Sequence, residues 1–244
     1  MAGLLRRSGP RRSTIAEEPV CNYAAVGATA LPDLLLYPPR GFAAAQHQAR
    51  LGSGEARWER SIARLMRWGV QRGAGLGVEE VRSESLSGDA YRSIVHEEDG
   101  EGAASMRRPY AHLFDAADPE LIRPGMTARI VTRTAGMRFV SPVRVIAVIA
   151  EPNAFGFSIG TLPGGPEACE QRFIVSRNPD GTVWITVREL VRPAALRSWA
   201  VWPLAKRHRA RVMAGYLAAL HPATPLSAEE AGRYDAIPFR AAGA

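Results

Sequence analysis

The sequence feature that most constrains the fold is a close succession of strand patterns between residues 127 and 190. β-Branched and aromatic residues are dense at 127–134, 138–149 and 155–159, and such residues favour a pleated surface. Two more strands, at 171–177 and 182–190, flank Asn178-Pro179-Asp180-Gly181. Proline presets φ in such a turn and glycine accepts a positive φ, so these two strands form an antiparallel hairpin. The whole region is predicted to be a meander of strands.

Two segments of helical spacing frame this region. Apolar residues recur at Trp58, Ile62, Leu65 and Met66, which predicts a helix that begins after Ser53, with that serine as its cap, and ends near Gly69. Strands are expected on either side of it, at 42–51 and 75–82. A second helix is predicted from near Pro203 to about Leu220. Its apolar stripe comprises Val201, Leu204, His208, Val212, Gly215, Tyr216 and Ala219, and its basic residues are expected to face elsewhere.

This order of elements predicts an α+β fold of the helix-grip kind. In that arrangement a curved antiparallel sheet wraps around a long C-terminal helix, and a cavity remains between them. The expected organisation is a flexible basic tail at 1–20, a folded domain at 21–220 and a C-terminal tail at 221–244. Residues 83–124 are interpreted as an insertion, acidic and glycine-rich at first and aromatic at 110–114. It is expected either to cover the cavity as a lid or to be a disordered surface loop.

The formal net charge of +7 raises the question of a nucleic-acid partner, because clustered cations neutralise phosphates. Lys206 is the sole lysine, so 30 of the 31 basic residues are arginine. That bias is typical of a high-GC bacterial genome, and part of the charge lies in the tail, so no nucleic acid is expected. The arginine-rich start also resembles an organelle transit peptide.

The cysteines and the hydropathy of the chain indicate in which cellular compartment the protein is expected. Cys21 and Cys169 are far apart and form no metal or disulfide pattern, which favours a reducing cytoplasm. The chain contains no apolar run of about 18 residues, the length needed to span a bilayer. No integral membrane association, metal or cofactor is therefore expected, and the oligomeric state stays open.

One block of sequence resembles a known family. Residues 155–167 read FGFSIGTLPGGPE and resemble an uncharacterised bacterial and plant family, known as a domain of unknown function, whose hallmark is GF-x-YGTLPGHPE-x-GEE. Further similar segments are 23–29, 51–55, 73–76, 183–184 and 192–193. Three parts of the block depart from the hallmark: Ile159 replaces its Tyr, Gly165 replaces its His, and Cys169-Glu170-Gln171 replaces its Gly-Glu-Glu, of which Glu170 alone matches.

The order of elements is in turn similar to the START and polyketide-cyclase superfamily. That resemblance implies a cavity for a sterol, lipid, hormone or aromatic polyketide, in which some members also catalyse cyclisation or dehydration. It is an analogy of fold and does not assign a function.

Two residues are candidates for proton transfer. His208 lies on the apolar stripe of the C-terminal helix, and an imidazole titrates near neutral pH; the alternative is a hydrogen-bonded core histidine. Glu170 matches a carboxylate of the family block, and burial would raise its proton affinity; the alternative is a surface carboxylate. For each of the two residues, both interpretations stay open.

Candidate ligand-binding residues are spread over several elements. Arg172 and Arg188 share the predicted hairpin, where their planar guanidinium groups suit an acidic ligand group. Trp184 and Tyr216 suit a flat aromatic ligand, although large aromatic residues are often core. Tyr23, Phe157 and Thr161 lie in the segments that carry the family resemblance.

The function that these observations favour is binding of a hydrophobic or amphipathic small molecule in the cavity. The alternative is an enzyme of the cyclase, dehydratase or isomerase kind in bacterial secondary metabolism, acting in the same cavity. A third class is an interaction protein that uses a basic face. The sequence contains no nucleophile elbow, phosphate loop, paired-histidine metal motif or dinucleotide fingerprint, so it offers no specific reaction.

Overall fold

The computed structural model describes residues 21–83, 110, 113–114, 117–134, 136–194, 202–224, 226 and 231–232. Predictions for the basic tail at 1–20, the first half of the insertion and most of the C-terminal tail lie outside the described residues. After a 3-10 helix at Ala28–Ala30, the strands and helices follow in this order: β1 Ala43–Ser53, α1 Glu55–Leu65, α2 Gly69–Gly73, β2 Gly77–Arg82, β3 Thr127–Thr134, β4 Met137–Glu151, β5 Ala154–Thr161, β6 Glu167–Arg177, β7 Thr182–Pro193 and α3 Trp202–Ala219.

The described chain is α+β, with one seven-stranded sheet of order β1-β7-β6-β5-β4-β3-β2. Every neighbouring pair of strands is antiparallel. Strands β2 to β7 form a meander, and β1 joins the free edge of β7. The segment from β1 through α1 and α2 to β2 therefore connects the two edges of the sheet. Irregular register in β1, β2 and β4 is the kind of feature that bends a strand.

The two faces of the sheet differ in what covers them. Phe157, Phe173 and Val187 pair across β5, β6 and β7, so they share a face, which we name the inner face. The helices pack there: the ring of Trp68 lies 5.7 Å from that of Phe157, and the ring of Tyr216 lies 5.1 Å from that of Phe173. The opposite face, which we name the outer face, is partly covered by residues 21–42, which contact Glu170, Arg188 and Leu190.

A dense aromatic core fills the space under the helices. Trp58, Trp68, Phe155, Phe157 and Phe173 are all at most 1% exposed, and neighbouring rings meet at 5.3 to 5.9 Å. Such rings contribute a large share of buried apolar surface. The deep cavity expected between sheet and C-terminal helix is occupied by these side chains in the described part of the chain.

Helices α2 and α3 approach each other through small residues. A Cβ added at Gly73 would lie 2.8 Å from the Cβ of Ala219, and one added at Gly215 would lie 3.0 Å from that of Ala74. Gly73, the first glycine of a segment at 73–77 that superficially resembles a phosphate loop, thus allows close helix packing. None of the described helices is long and apolar enough to cross a bilayer.

Two local expectations are corrected. The residue at the amino end of α1 is Gly54, with φ of 88° and no side-chain cap, so the Ser53 cap is wrong. The alternation of Phe155, Phe157 and Ile159 with small residues predicts a half-buried β5, but the strand is buried from Phe155 to Thr161 on both faces. At Gly160 the segment 21–42 provides the cover, since Tyr23 and Cys21 lie there.

Candidate functional site

Glu170 lies on the outer face, where it is fully buried and holds the N-terminal segment. It pairs with Leu190 and Gly160 in neighbouring strands. One carboxylate oxygen accepts hydrogen bonds from Tyr23 Oη and the backbone N–H of Gly27, both at 2.8 Å. The other accepts from the N–H of Thr29 at 2.8 Å and its hydroxyl at 2.5 Å. Four donors thus occupy the carboxylate, which we name the Glu170 clamp.

The Glu170 clamp affects two neighbouring residues, Tyr23 and Gly160. Burial, and next the charge of Glu170, raise the pKa of Tyr23 far above its usual range, so the phenol stays protonated and donates. A Cβ added at Gly160 would lie 2.3 Å from Tyr23 Oη, so the glycine of β5 is needed for this close approach. The group that approaches here belongs to the chain's own segment 21–29.

Three of the other predicted site residues, Arg188, Arg172 and Trp184, also lie on the outer side. Arg188 donates to Gln46 Oε1 at 2.7 Å and to the carbonyl of Leu31 at 3.0 Å. Arg172 pairs with Arg188 across the hairpin, and burial together with that neighbouring charge lowers the pKa of Arg172. Trp184 is half-buried and donates to Thr182 Oγ1 at 3.1 Å. Thr161 donates to Asn22 Oδ1 at 2.7 Å at the end of β5.

The remaining predicted residues lie with the inner face and its helices. Phe157 and Tyr216 belong to the core, and burial raises the pKa of Tyr216 above its usual range. His208 is half-buried and lies one turn before Val212 and two before Gly215, so it shares the side of α3 that faces α2. The two proton-transfer candidates, His208 and Glu170, are therefore separated by the sheet.

A buried ion cluster, which the sequence did not indicate, lies between α3 and the inner face. Arg209 donates to Glu189 Oε2 at 2.9 Å and also contacts Glu167 Oε2. The side chain of Arg209 is 15% exposed and that of Glu189 is 7% exposed. Burial alone opposes the charge, but the neighbouring Cys169, Glu167 and Glu189 raise the pKa of Arg209, so its guanidinium stays charged. The expectation that Arg209 faces away from the sheet is wrong.

Beside this cluster a groove of about 310 Å³ opens between α3 and the edge strand β1. The buried pair Glu189 and Arg209, together with His47 of β1, forms its polar part, and four residues of α3 form an apolar wall. We name it the Arg209 groove; it is lined by His47, Glu189, Arg209, Ala210, Met213, Ala214 and Leu217. A second depression, of about 340 Å³, is lined by Arg67, Asp118, Pro119 and Glu120, and there Arg67 is already bonded to Asp118 at 2.7 Å.

The described end of the insertion packs on another part of the core. Tyr110 and Leu113 are buried, and the rings of Tyr110 and Phe114 each lie 5.7 Å from that of Phe155. Phe155 lies at the start of β5, whereas the ion cluster lies beside the opposite end of β6 and β7. That residues 83–124 act as a lid stays a prediction.

The chain belongs to a protein family that is known from its sequence pattern. The model of the family described as "Domain of unknown function (DUF1990)" matches residues 22–97 and 105–219. The family model thus matches most of residues 83–124, the segment interpreted as an insertion, and leaves out only residues 98–104. A relative from Deinococcus radiodurans, the "UPF0548 protein", is 30% identical over 176 residues, covering 69% of this chain and 75% of the relative.

Several solved structures have a similar arrangement. A hypothetical protein from Helicobacter pylori matches with a TM-score of 0.48 and 8% identity, over 80% of this chain and 95% of its own. Ara h 8.0201 matches with 0.39 and 10%, over 74% and 99%. The major latex-like protein 151 from Panax ginseng matches with 0.35 and 10%, over 71% and 97%. At these scores no conclusion about function follows.

Proposed function

We propose that this protein binds a small hydrophobic or amphipathic molecule in the Arg209 groove, within a helix-grip arrangement of sheet and C-terminal helix. The observation that carries the proposal is the pairing of a buried ion cluster with an apolar helix wall around one opening. Ligand sites are concave and mostly apolar, with a few polar groups that fix orientation. The volume, about 310 Å³, suits a compact ligand.

The charges in the groove favour a neutral polar end on the ligand. Glu167 and Glu189 both face the single guanidinium of Arg209, so a ligand carboxylate would be the third anion near one cation. A hydroxyl or carbonyl group at that end of the ligand adds no negative charge beside the two carboxylates.

We assign no reaction to this site, because the two residues proposed for acid–base chemistry lie on opposite sides of the sheet. His208 lies on the α2 side of α3, and Glu170 is held by four donors on the outer face. A catalytic base needs a free lone pair directed at the substrate. The Arg209 groove is therefore better supported as a binding site than as an active site.

The ligand class is tested by competition. The neutral dye Nile red is bound to the full chain and displaced by dodecanol or by dodecanoate, two molecules of equal chain length. We expect dodecanol to displace the dye at a concentration about tenfold lower, because like charges oppose dodecanoate. In Glu189→Gln the difference should shrink, while Glu151→Gln, which removes an exposed carboxylate of β4, should leave it unchanged. Stronger displacement by dodecanoate in the unmodified protein would contradict the proposal.

A further inference from the structure

Residues 31–37 form a loop on the outer side of the sheet that displays large apolar side chains to solvent. Leu31 is 50% exposed, Leu35 48%, Leu36 76% and Tyr37 75%. These four lie within seven residues, whereas large apolar residues that are exposed singly are common on any protein surface. A concentrated exposed set of this kind marks an interaction site.

The loop is held in place by the fold. Leu34, at its centre, is 1% exposed and packs with Ala28 and Leu190 in a small second core. The N–H groups of Leu36 and Tyr37 both donate to the carbonyl of Asp33 at 2.9 Å. Because the backbone is already ordered, little conformational entropy is lost when these side chains dock.

The surroundings of the loop are basic. Arg188 donates to the carbonyl of Leu31, Arg172 lies across from it on β6, and Arg192 stacks over Phe42 at 5.0 Å. Arg40 is exposed just after the loop. The carboxylates facing this group are Asp33, which is exposed, Glu151, which acts on Arg172, and the saturated Glu170.

We propose that the loop at 31–37 docks the protein on an anionic lipid bilayer. Its leucines and tyrosine enter the headgroup boundary, where apolar and aromatic side chains are favoured, and the arginines contact lipid phosphates. A second copy of the chain is a poorer occupant, since it would bring two sets of arginines together in a chain of net charge +7. Nucleic acid would meet the arginines but offer the leucines no apolar environment.

Co-sedimentation of the full chain with vesicles tests this. Vesicles of phosphatidylcholine alone are compared with vesicles of phosphatidylcholine and phosphatidylserine. We expect binding to the anionic vesicles that weakens as salt is added, and a loss of at least about tenfold in affinity for Leu36→Ser with Tyr37→Ser. The matched control is Met137→Ser with Phe139→Ser, which removes two exposed apolar residues, 55% and 42% exposed, from the β3–β4 hairpin; it should bind as the unmodified protein does. Circular dichroism confirms that both variants fold.

Four results would overturn the proposal. Equal binding of the loop variant and the unmodified protein would show that the loop is not the contact, and no binding to anionic vesicles would show that the surface serves another purpose. Light scattering that shows a dimer abolished by the loop substitutions, without vesicle binding, would assign the loop to a second copy. Salt-sensitive binding of a DNA duplex that the loop substitutions leave unchanged, again without vesicle binding, would assign the arginines to nucleic acid.

Discussion

At the scale of single residues, Glu170 shows how a sequence signal can be right about a position and silent about its role. The family block identified it as a carboxylate of interest. Its partners Tyr23, Gly27 and Thr29 lie 141 to 147 residues earlier, and no local pattern connects such distant segments. The structure indicates that this carboxylate ties the N-terminal segment to the sheet.

Removal of the Glu170 carboxylate should destabilise the fold strongly. In Glu170→Ala, Tyr23 Oη and the backbone N–H groups of Gly27 and Thr29 lose their acceptor while still buried. We expect the free energy of unfolding to fall by about 3–5 kcal/mol, since bonds to charged groups are strong and unsatisfied donors are costly. Urea denaturation measures it, with Glu151→Ala, an exposed carboxylate, expected to change stability by under about 0.5 kcal/mol. A similar small loss for both variants would show that the clamp contributes little.

Cys169 gives the protein a predictable response to alkaline pH. Burial raises the pKa of Cys169 to about 12, above the ordinary thiol value of about 8.5. The folded state therefore favours the protonated thiol, so its contribution to stability is complete below about pH 8.5 and is lost as the pH rises toward 12. Urea denaturation at successive pH values should show stability falling across this window.

The substitution Cys169→Ala isolates that contribution. The variant lacks the thiol, so its stability should fall less steeply over the same pH range than that of the unmodified protein. The phenols of Tyr23 and Tyr216 and the thiol of Cys21, whose pKa values are also raised, contribute to the remaining decline. An identical pH dependence in both proteins would show that the thiol is not protected by burial.

At the scale of elements, the sequence predicted strands and helices closely where the pattern is local. Strand β3 is observed at Thr127–Thr134 as expected, and the C-terminal helix at Trp202–Ala219 differs by a residue from the expected start and end. The side chains of α3 were harder to place. It buries one stripe, through Met213 and Tyr216, against the sheet, and a second, through Gly215 and Ala219, against α2.

Because α3 is buried along two stripes, the sequence did not predict that Arg209 faces the sheet. Two apolar stripes about 100° apart on one helix blur its amphipathic pattern. Arg209 lies four residues before Met213 and seven before Tyr216, so it continues the sheet-facing stripe. The spacing could have indicated this. The carboxylates that receive it, Glu167 and Glu189, come from two other strands, and sequence alone does not align them.

The glycines of β5 offer a test of strand packing. A Cβ at Gly160 would lie 2.3 Å from Tyr23 Oη and 2.7 Å from Cys21 Sγ. Gly160→Ala should therefore reduce the free energy of unfolding by about 1–3 kcal/mol through overpacking. Gly165→Ala is the control, because nothing lies within 3.8 Å of its added Cβ, and we expect almost no change in the urea midpoint. Equal stability of the two variants would mean that the N-terminal segment does not lie tightly on the outer face.

At the scale of the whole molecule, each face of the sheet carries one structural feature and one proposed binding surface. The outer face carries the Glu170 clamp and the exposed loop at 31–37. The inner face carries the aromatic core and, at its β1 edge, the Arg209 groove. Predicted site residues are divided between the faces, because strand alternation sends neighbours in sequence to opposite sides. The order of elements was predictable from sequence, whereas the filling of the expected cavity depends on contacts among distant segments.

The central claim, that the Arg209 groove is the ligand site, is tested most directly by Nile red binding to three proteins. Ala210 and Ala218 are both exposed on α3, but of the two only Ala210 lines the groove. We predict that the unmodified protein and Ala218→Trp bind the dye with the same Kd, while Ala210→Trp, which fills the groove, binds at least about tenfold more weakly. Equal affinity of all three proteins, or no binding by any of them, would contradict the claim.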